Sequence, residues 1–317
     1  MHKSMLALGL TQAILFSPFL NAQVLNTEVG ATAEPTETTT ALSEEEIKHR
    51  DYLEWADAFE ASLTYQTGKI TLPGGKATLN VPENYYYLSP EDTKRVLEEA
   101  WQNPEGELML GMLFPQQYRV LDDASWGVTI EYTADGYVSD DDAADIDYDD
   151  LLKEMKKDTQ AESKWRQEHG FPAIELVGWA EQPYYDANTH KLYWAKELIF
   201  GENEARTLNY NVRALGRQGY MEMNFIANIN QLEEVNTSRD EVLAMVSFNE
   251  GHKYSEFDPD IDNVAAYGIG GLIAGKVLAK TGFLALALVF LKKFWFVLLV
   301  PLYWLRKKIF SRKATTE

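Results

Sequence analysis

Apolar positions in the middle of the chain recur at two periods, and each period predicts a different element. Alternation at period two marks strands. It runs through Ile70 and Leu72, then Ala77, Leu79 and Val81, about a Gly74-Gly75 turn that reads as a hairpin. Further strand-like runs lie at Leu108–Leu113, Trp126–Tyr132, Ile174–Ala180, Lys191–Ile199, Leu208–Leu215 and Tyr220–Ile226. The last two flank "GRQG", a tight-turn sequence. Helical spacing recurs at Ile47, Leu53, Ala56, Phe59 and Leu63, behind a capping box from Ser43 to Glu46. Ser89-Pro90-Glu91-Asp92 predicts the start of a second helix running to about Trp101, with proline at its first position. A third runs to about His169, stopped by Gly170-Phe171-Pro172. A fourth is expected over Ser238–Ser247, with Ser238-Arg239-Asp240-Glu241 as its capping box. Sequential strands with short turns and flanking helices predict an α+β fold, an antiparallel sheet covered by helices.

The two ends break this pattern. "MHKSMLALGLTQAILFSPFLNAQ" has a short basic start, an interrupted apolar run and a small residue at Ala22, the layout of a secretory signal at residues 1–22. Residues 23–43, rich in Thr, Ala and Glu, predict a flexible leader. A helical lead-in at 44–67 precedes a periplasmic domain at 68–257. Residues 264–305 then form a hydrophobic membrane-anchor region. Lys276, Lys280, Lys292 and Lys293 interrupt it, and each would cost roughly 2.5–3.5 kcal/mol at a bilayer centre. One tilted transmembrane helix over about 283–305 satisfies the need for about 20 apolar residues; a hairpin of two helices is the other layout. Gly271 and Gly275 form a G-x-x-x-G step that lets two helices approach closely, in a hairpin or a homo-oligomer. Arg306, Lys307 and Lys308 open a basic tail at 306–317. Basic residues favour the cytoplasmic side, so an exported domain requires an odd number of crossings. The expected location is the inner (cytoplasmic) membrane, with the domain in the periplasm.

Charge sharpens the asymmetry. The chain has 29 Lys and Arg against 49 Asp and Glu, a net of −20. Nine of the cations and one acid fall in 263–317, which leaves residues 23–262 at −29. Such a surface repels phosphate backbones, so no nucleic-acid partner is expected. There is no cysteine, which excludes thiol catalysis, disulfides and thiolate-bound zinc.

The segment "GYVSDDDAADIDYDDLLKEM" places seven aspartates between Asp140 and Asp150. Asp140, Asp141, Asp142, Asp145 and Asp147 are the candidate ligands for a weakly held divalent cation. Counted from Asp145, however, the calcium-loop template meets Asp150 where glycine belongs and Lys156 where glutamate belongs. The competing expectation is that these carboxylates cap the third helix and complement its dipole. No cofactor is implied.

Signatures of catalysis are missing. The histidines are scattered, without H-E-x-x-H, and neither G-x-S-x-G nor S-x-x-K occurs. "GWAEQPYYDANTHKLYWAKEL" combines tryptophans and tyrosines with polar residues. It suits either one face of a strand or a surface that recognises sugars or peptides. No residue is assigned a catalytic role.

The strings "GYVSDDDAADIDYDDLLKEMK", "GWAEQPYYDANTHKLYWAKEL", "LNYNVRALGRQGYMEMN" and "AAYGIGGLIAGK" resemble a bacterial family of membrane-anchored proteins, domain of unknown function family 2167. The resemblance implies an exported domain with a C-terminal anchor and supplies no catalytic residues. The order of elements is also similar to the Mog1/PsbP-like α-β-α sandwich. The expected function is a non-catalytic binding or scaffolding domain of the cell envelope, with a protein partner. Its rivals are an envelope hydrolase using a carboxylate pair and exposed aromatics, and a cation-responsive domain built on Asp140–Asp150.

Overall fold

The computed structural model describes residues 43–106, 109–201 and 206–274. The predicted signal, nearly all of the leader, Gly275, the span at 283–305 and the basic tail lie outside the described residues. No helix among the described residues is long and apolar enough to cross a membrane.

Helix α1 (Glu44–Ala61) starts at the predicted box: Ser43 Oγ accepts from the Glu46 amide, and the Glu46 carboxylate accepts from the Ser43 amide. Only its second half packs. Ala56, Phe59 and the following Leu63 are buried, whereas Ile47 and Leu53 remain exposed. The hairpin of β1 (Gly68–Thr71) and β2 (Ala77–Val81) turns at Gly74-Gly75, both at positive φ. Next come β3 (Tyr85–Leu88) and α2 (Pro90–Arg95), the latter capped by Ser89 and continued by a π turn to Ala100. Strands β4 (Gly111–Pro115) and β5 (Gly127–Thr133) lead to α3 (Tyr148–Glu168). Four long antiparallel strands follow: β6 (Ile174–Asp186), β7 (Lys191–Phe200), β8 (Arg206–Gly216) and β9 (Gly219–Asn228). The chain then forms α4 (Leu232–Met245), β10 (Val246–Phe248) and α5 (Ile269–Ala274).

Seven strands form one antiparallel sheet in the order β3-β4-β5-β9-β8-β7-β6, and three form a small one, β1-β2-β10. The largest core lies between them. Leu79 and Val81 of β2, Val242 and Met245 of α4, and Tyr210, Val212, Met223 and Phe225 of the large sheet share it. On the opposite side, α1 and α2 pack at the β3–β4 end, through Phe59, Leu97 and Trp101 against Phe114. Helix α3 runs beside β6, the far edge strand. The arrangement is α+β, antiparallel sheets flanked by helices.

Three expectations need correction. The final helix does not begin at Ser238, which lies inside it. Asn228 and Gln231 form the capping box, and a short 3-10 turn at Ile229–Gln231 leads into α4. Two polar boxes compete in this sequence, and the one directly after β9 is used. Strands β3 and β10 were not predicted: Tyr85–Leu88 is buried at every position, so it shows no alternation, and β10 spans only three residues. Finally, the folded body extends beyond residue 257. Residues 258–274 pack against it through the contacts described below, and its lower boundary takes in Phe59 and Leu63 of the lead-in.

Candidate functional site

The acidic segment makes a joint. Tyr137 pairs in parallel with Val264, its amide donating to the Asn263 carbonyl and its carbonyl accepting from the Ala265 amide, both at 2.8 Å. Asp142 receives the amides of Ile269 (2.8 Å) and Gly270 (3.2 Å), so it caps α5. Tyr267 donates its hydroxyl to Asp135. Nearby, Arg217 and Gln218 at the β8–β9 turn hold Asp262 at 2.7 and 3.1 Å. Their contacts, Arg217 first, pull the Asp262 carboxyl down to about 2. Ile269, Leu272 and Ile273 are fully or almost fully buried against Val138, Leu192, Trp194 and Tyr220.

Most of the aspartates in the segment have distinct partners. Asp140 accepts from the hydroxyls of Tyr185 (2.8 Å) and Tyr254 (3.3 Å), with His190 Nδ1 at 3.8 Å. Burial and then hydrogen bonding push the hydroxyls of Tyr185 and Tyr254 well above the usual phenol range. Asp141 bonds Ser139 at 2.8 Å. Asp145 is exposed. Asp147 is the N-cap of α3, accepting from the amides of Asp149 and Asp150 at 3.0 Å. Among the described residues no three His, Asp or Glu side chains gather as a group able to hold a metal. Gly271 packs within the domain, where a Cβ would lie 2.6 Å from Tyr267 Cβ.

A second cluster was not legible as a site. The face of β7, β8 and β9 opposite the main core is polar yet buried. Direct cross-strand pairing aligns Trp194 with Asn211 and Asn211 with Asn224; Lys196 pairs with Asn209, and Arg213 with Glu222. Because alternate residues share a face, these groups form adjacent rows. Asn211 and Trp194 are wholly inaccessible, and Lys196 is only 6 % exposed. Arg213 meets Glu222 at 2.7 Å and lies over the rings of Trp194 and Tyr220. Trp194 Nε1, Asn209 Nδ2 and Oδ1, Asn211 Oδ1 and Asn224 Oδ1 have no hydrogen-bond partner among the described residues. Lys196 has neither a hydrogen bond nor an ion pair among the described residues. Burial pulls its pKa below the usual lysine range, against the attraction of Glu222 and Glu162. The sequence signal was the alternation in "RTLNYNVRALG" and "GYMEMNFIAN", which ordinarily places the polar residues in water.

The aromatic string behaves chiefly as strand. Leu192 and Trp194 are buried, while the exposed Tyr184 stacks on Tyr193 with ring centres 4.6 Å apart. Two hollows in the described surface bear on acid–base chemistry. One, between α3 and β6, is bordered by Lys156, Ser163, Lys164 and a single acid, Glu175. The other, on α4, also holds one acid, Glu233. Neither presents two facing carboxylates.

A family model described as "Protein of unknown function (DUF2167)" matches residues 64–303, most of the chain. The chain belongs to this family. The DUF2167 match takes in the woven joint and continues through the hydrophobic stretch beyond it. No curated protein matches the chain. Solved structures similar to it include these two. One is the cyanobacterial PsbP (CyanoP) of Synechocystis sp. PCC 6803, at 11% identity over 60% of this chain and 94% of that one, with a TM-score of 0.32. The other is the Saccharomyces cerevisiae Ran-binding protein Mog1p, at 10% identity over 62% and 100%, with a TM-score of 0.25. Likeness at these scores establishes neither a shared architecture nor a shared partner.

Proposed function

We propose that this DUF2167 protein is a non-catalytic component of the bacterial envelope. In this reading an exported acidic domain is held at the inner membrane by the segment near 283–305, with Arg306, Lys307 and Lys308 on the cytoplasmic side, and binds another protein. The observation that supports it is the joint. Residues 258–274, which lead directly into the hydrophobic stretch, are bonded to the body through Asp135, Tyr137, Asp142 and Arg217. A domain fixed close to the root of its anchor can present one constant face to a partner, which a long slack linker would not allow. The charge asymmetry supports this orientation.

A reporter active only in the cytoplasm, fused after Glu317, is expected to be active, and the chain is expected to stay with membranes through an alkaline wash. Crosslinking in intact cells is expected to recover one repeated protein partner. A silent reporter or a freely washed chain would refute the membrane reading; recovery of lipids alone would refute the partner. The cation-responsive reading has its own check. Calcium is expected to leave the melting temperature unchanged, because Asp140, Asp141, Asp142 and Asp147 are already engaged as acceptors. A rise that disappears in Asp140→Asn would favour that rival instead.

A further inference from the structure

Buried polar atoms in folded proteins nearly always have partners, since an unsatisfied one costs on the order of 1–3 kcal/mol. Five such atoms on four neighbouring residues of one sheet face, beside a buried lysine, are therefore a concentration to be explained. Trp194, Asn211 and Asn224 form one cross-strand row, and Lys196 and Asn209 the next. The groups are complementary in kind. The Lys196 ammonium, the Trp194 indole N–H and the Asn209 amide N–H are donors; the side-chain oxygens of Asn209, Asn211 and Asn224 are acceptors.

The charges nearby do not complete the set. Glu222 is engaged by Arg213 at 2.7 Å. Glu162 of α3 is half-buried and influences Lys196 through space, without an ion pair to it. Arg166, also on α3, donates to the Pro172 carbonyl at 3.0 Å while its Nη2 is unpartnered. The cation at Lys196 thus lacks a contacting anion among the described residues, in a domain that is otherwise strongly acidic.

We propose that Lys196, Trp194, Asn209, Asn211 and Asn224 form a buried binding site for a small organic acid carrying its own hydrogen-bond donors, in the class of amino and hydroxy acids. The carboxylate of the ligand meets Lys196 and the Trp194 N–H, and its amino or hydroxyl group meets the asparagine oxygens. A simple carboxylate satisfies half of the set, and a neutral polyol leaves the lysine without a counter-charge. This assignment stands apart from the membrane reading: a mislocalised chain would still bind, and a correctly placed one could fail to.

The test is calorimetric titration of the full chain in lipid nanodiscs with glycine, L-lactate, acetate and glycerol. Glycine or L-lactate is expected to bind saturably, with acetate at least tenfold weaker and glycerol silent. Lys196→Met and, separately, Asn211→Leu are expected to weaken that binding at least tenfold, while Ser43→Ala, at the cap of α1, leaves it intact. Circular dichroism identifies the variants that fold, and either one suffices. If none of the four probes binds the unaltered chain, or if the folded variants bind as well as it does, the groups only enclose water and the proposal is overturned.

Discussion

Asp142 and Ile269 lie 127 positions apart in the chain, and the carboxylate of the first accepts the backbone N–H of the second at 2.8 Å. This bond, with its companion to Gly270, closes the acidic segment onto α5 and makes two distant stretches one unit.

Removing the cap is expected to loosen that unit selectively. Asp142→Ala should lower unfolding free energy by about 1 kcal/mol, the usual value of a helix N-cap. It should also raise amide exchange in 258–274 more than in β7–β9. Gly268→Ala should act in the same direction, because its Cβ would overlap the Asp142 carboxylate. Hydrogen exchange with mass spectrometry reads both.

Acid should weaken the same region through Asp262. Its carboxyl is held at about 2 by Arg217, well below the value near 3.9 expected when the chain is unfolded. A depressed carboxyl contributes stability that is fully present above the unfolded value and is lost as pH falls through the folded one. The expected loss therefore lies between about pH 4 and pH 2. Melting temperature across that range should fall less steeply in Asp262→Asn than in the unaltered protein.

The Arg213–Glu222 pair predicts an asymmetry between single and double variants. Arg213→Met leaves Glu222 buried without its contacting cation and should cost about 3–5 kcal/mol. Arg213→Met combined with Glu222→Leu should recover much of that loss, since the pair's desolvation disappears with it. Urea unfolding of these two variants, of Glu222→Leu alone and of the unaltered protein measures the coupling.

Alkali should unfold the domain through its tyrosines. Burial raises Tyr132 to about 12, and burial together with Glu91 raises Tyr87 to about 12. The unfolded phenol ionises near 10. Between these values the native state holds protons that the unfolded chain has released, so stability is complete below about pH 10 and falls above it. Phenolate absorbance is expected to appear together with loss of circular dichroism. Phenolate formation in a still-folded protein would contradict this.

How much of this was written in the sequence depends on whether neighbouring residues in the chain decided the matter. The caps at Ser43 and Ser89 and the turns at Gly74-Gly75 and "GRQG" are local, and all four were legible; that the aspartate cluster caps α3 was one of two expectations, and which aspartate does so was not. The existence of the long strands followed from alternation. The burial of Asn209, Asn211 and Asn224 was not legible, because period two says which residues share a face and leaves open whether water lies on it. The roles of Asp140 and Asp142 depend on Tyr185, Tyr254 and Ile269, all distant in sequence, so a count of aspartates could suggest a metal but could not reveal a joint. Residues 264–274 read as the start of an anchor because apolar composition is the same whether a helix faces lipid or, as Ile269 and Leu272 do here, a protein core.

The outer strand β6 bears on a different risk. Thirteen residues of free sheet edge would ordinarily invite another chain to pair along it. Here its first amide, at Ile174, is taken by Ser163 of α3 at 2.9 Å. Pro183 offers no N–H, and three register shifts against β7 interrupt its course. Copies crowded side by side therefore find no continuous ladder on which to zip together, and the edge gives fibril growth no template.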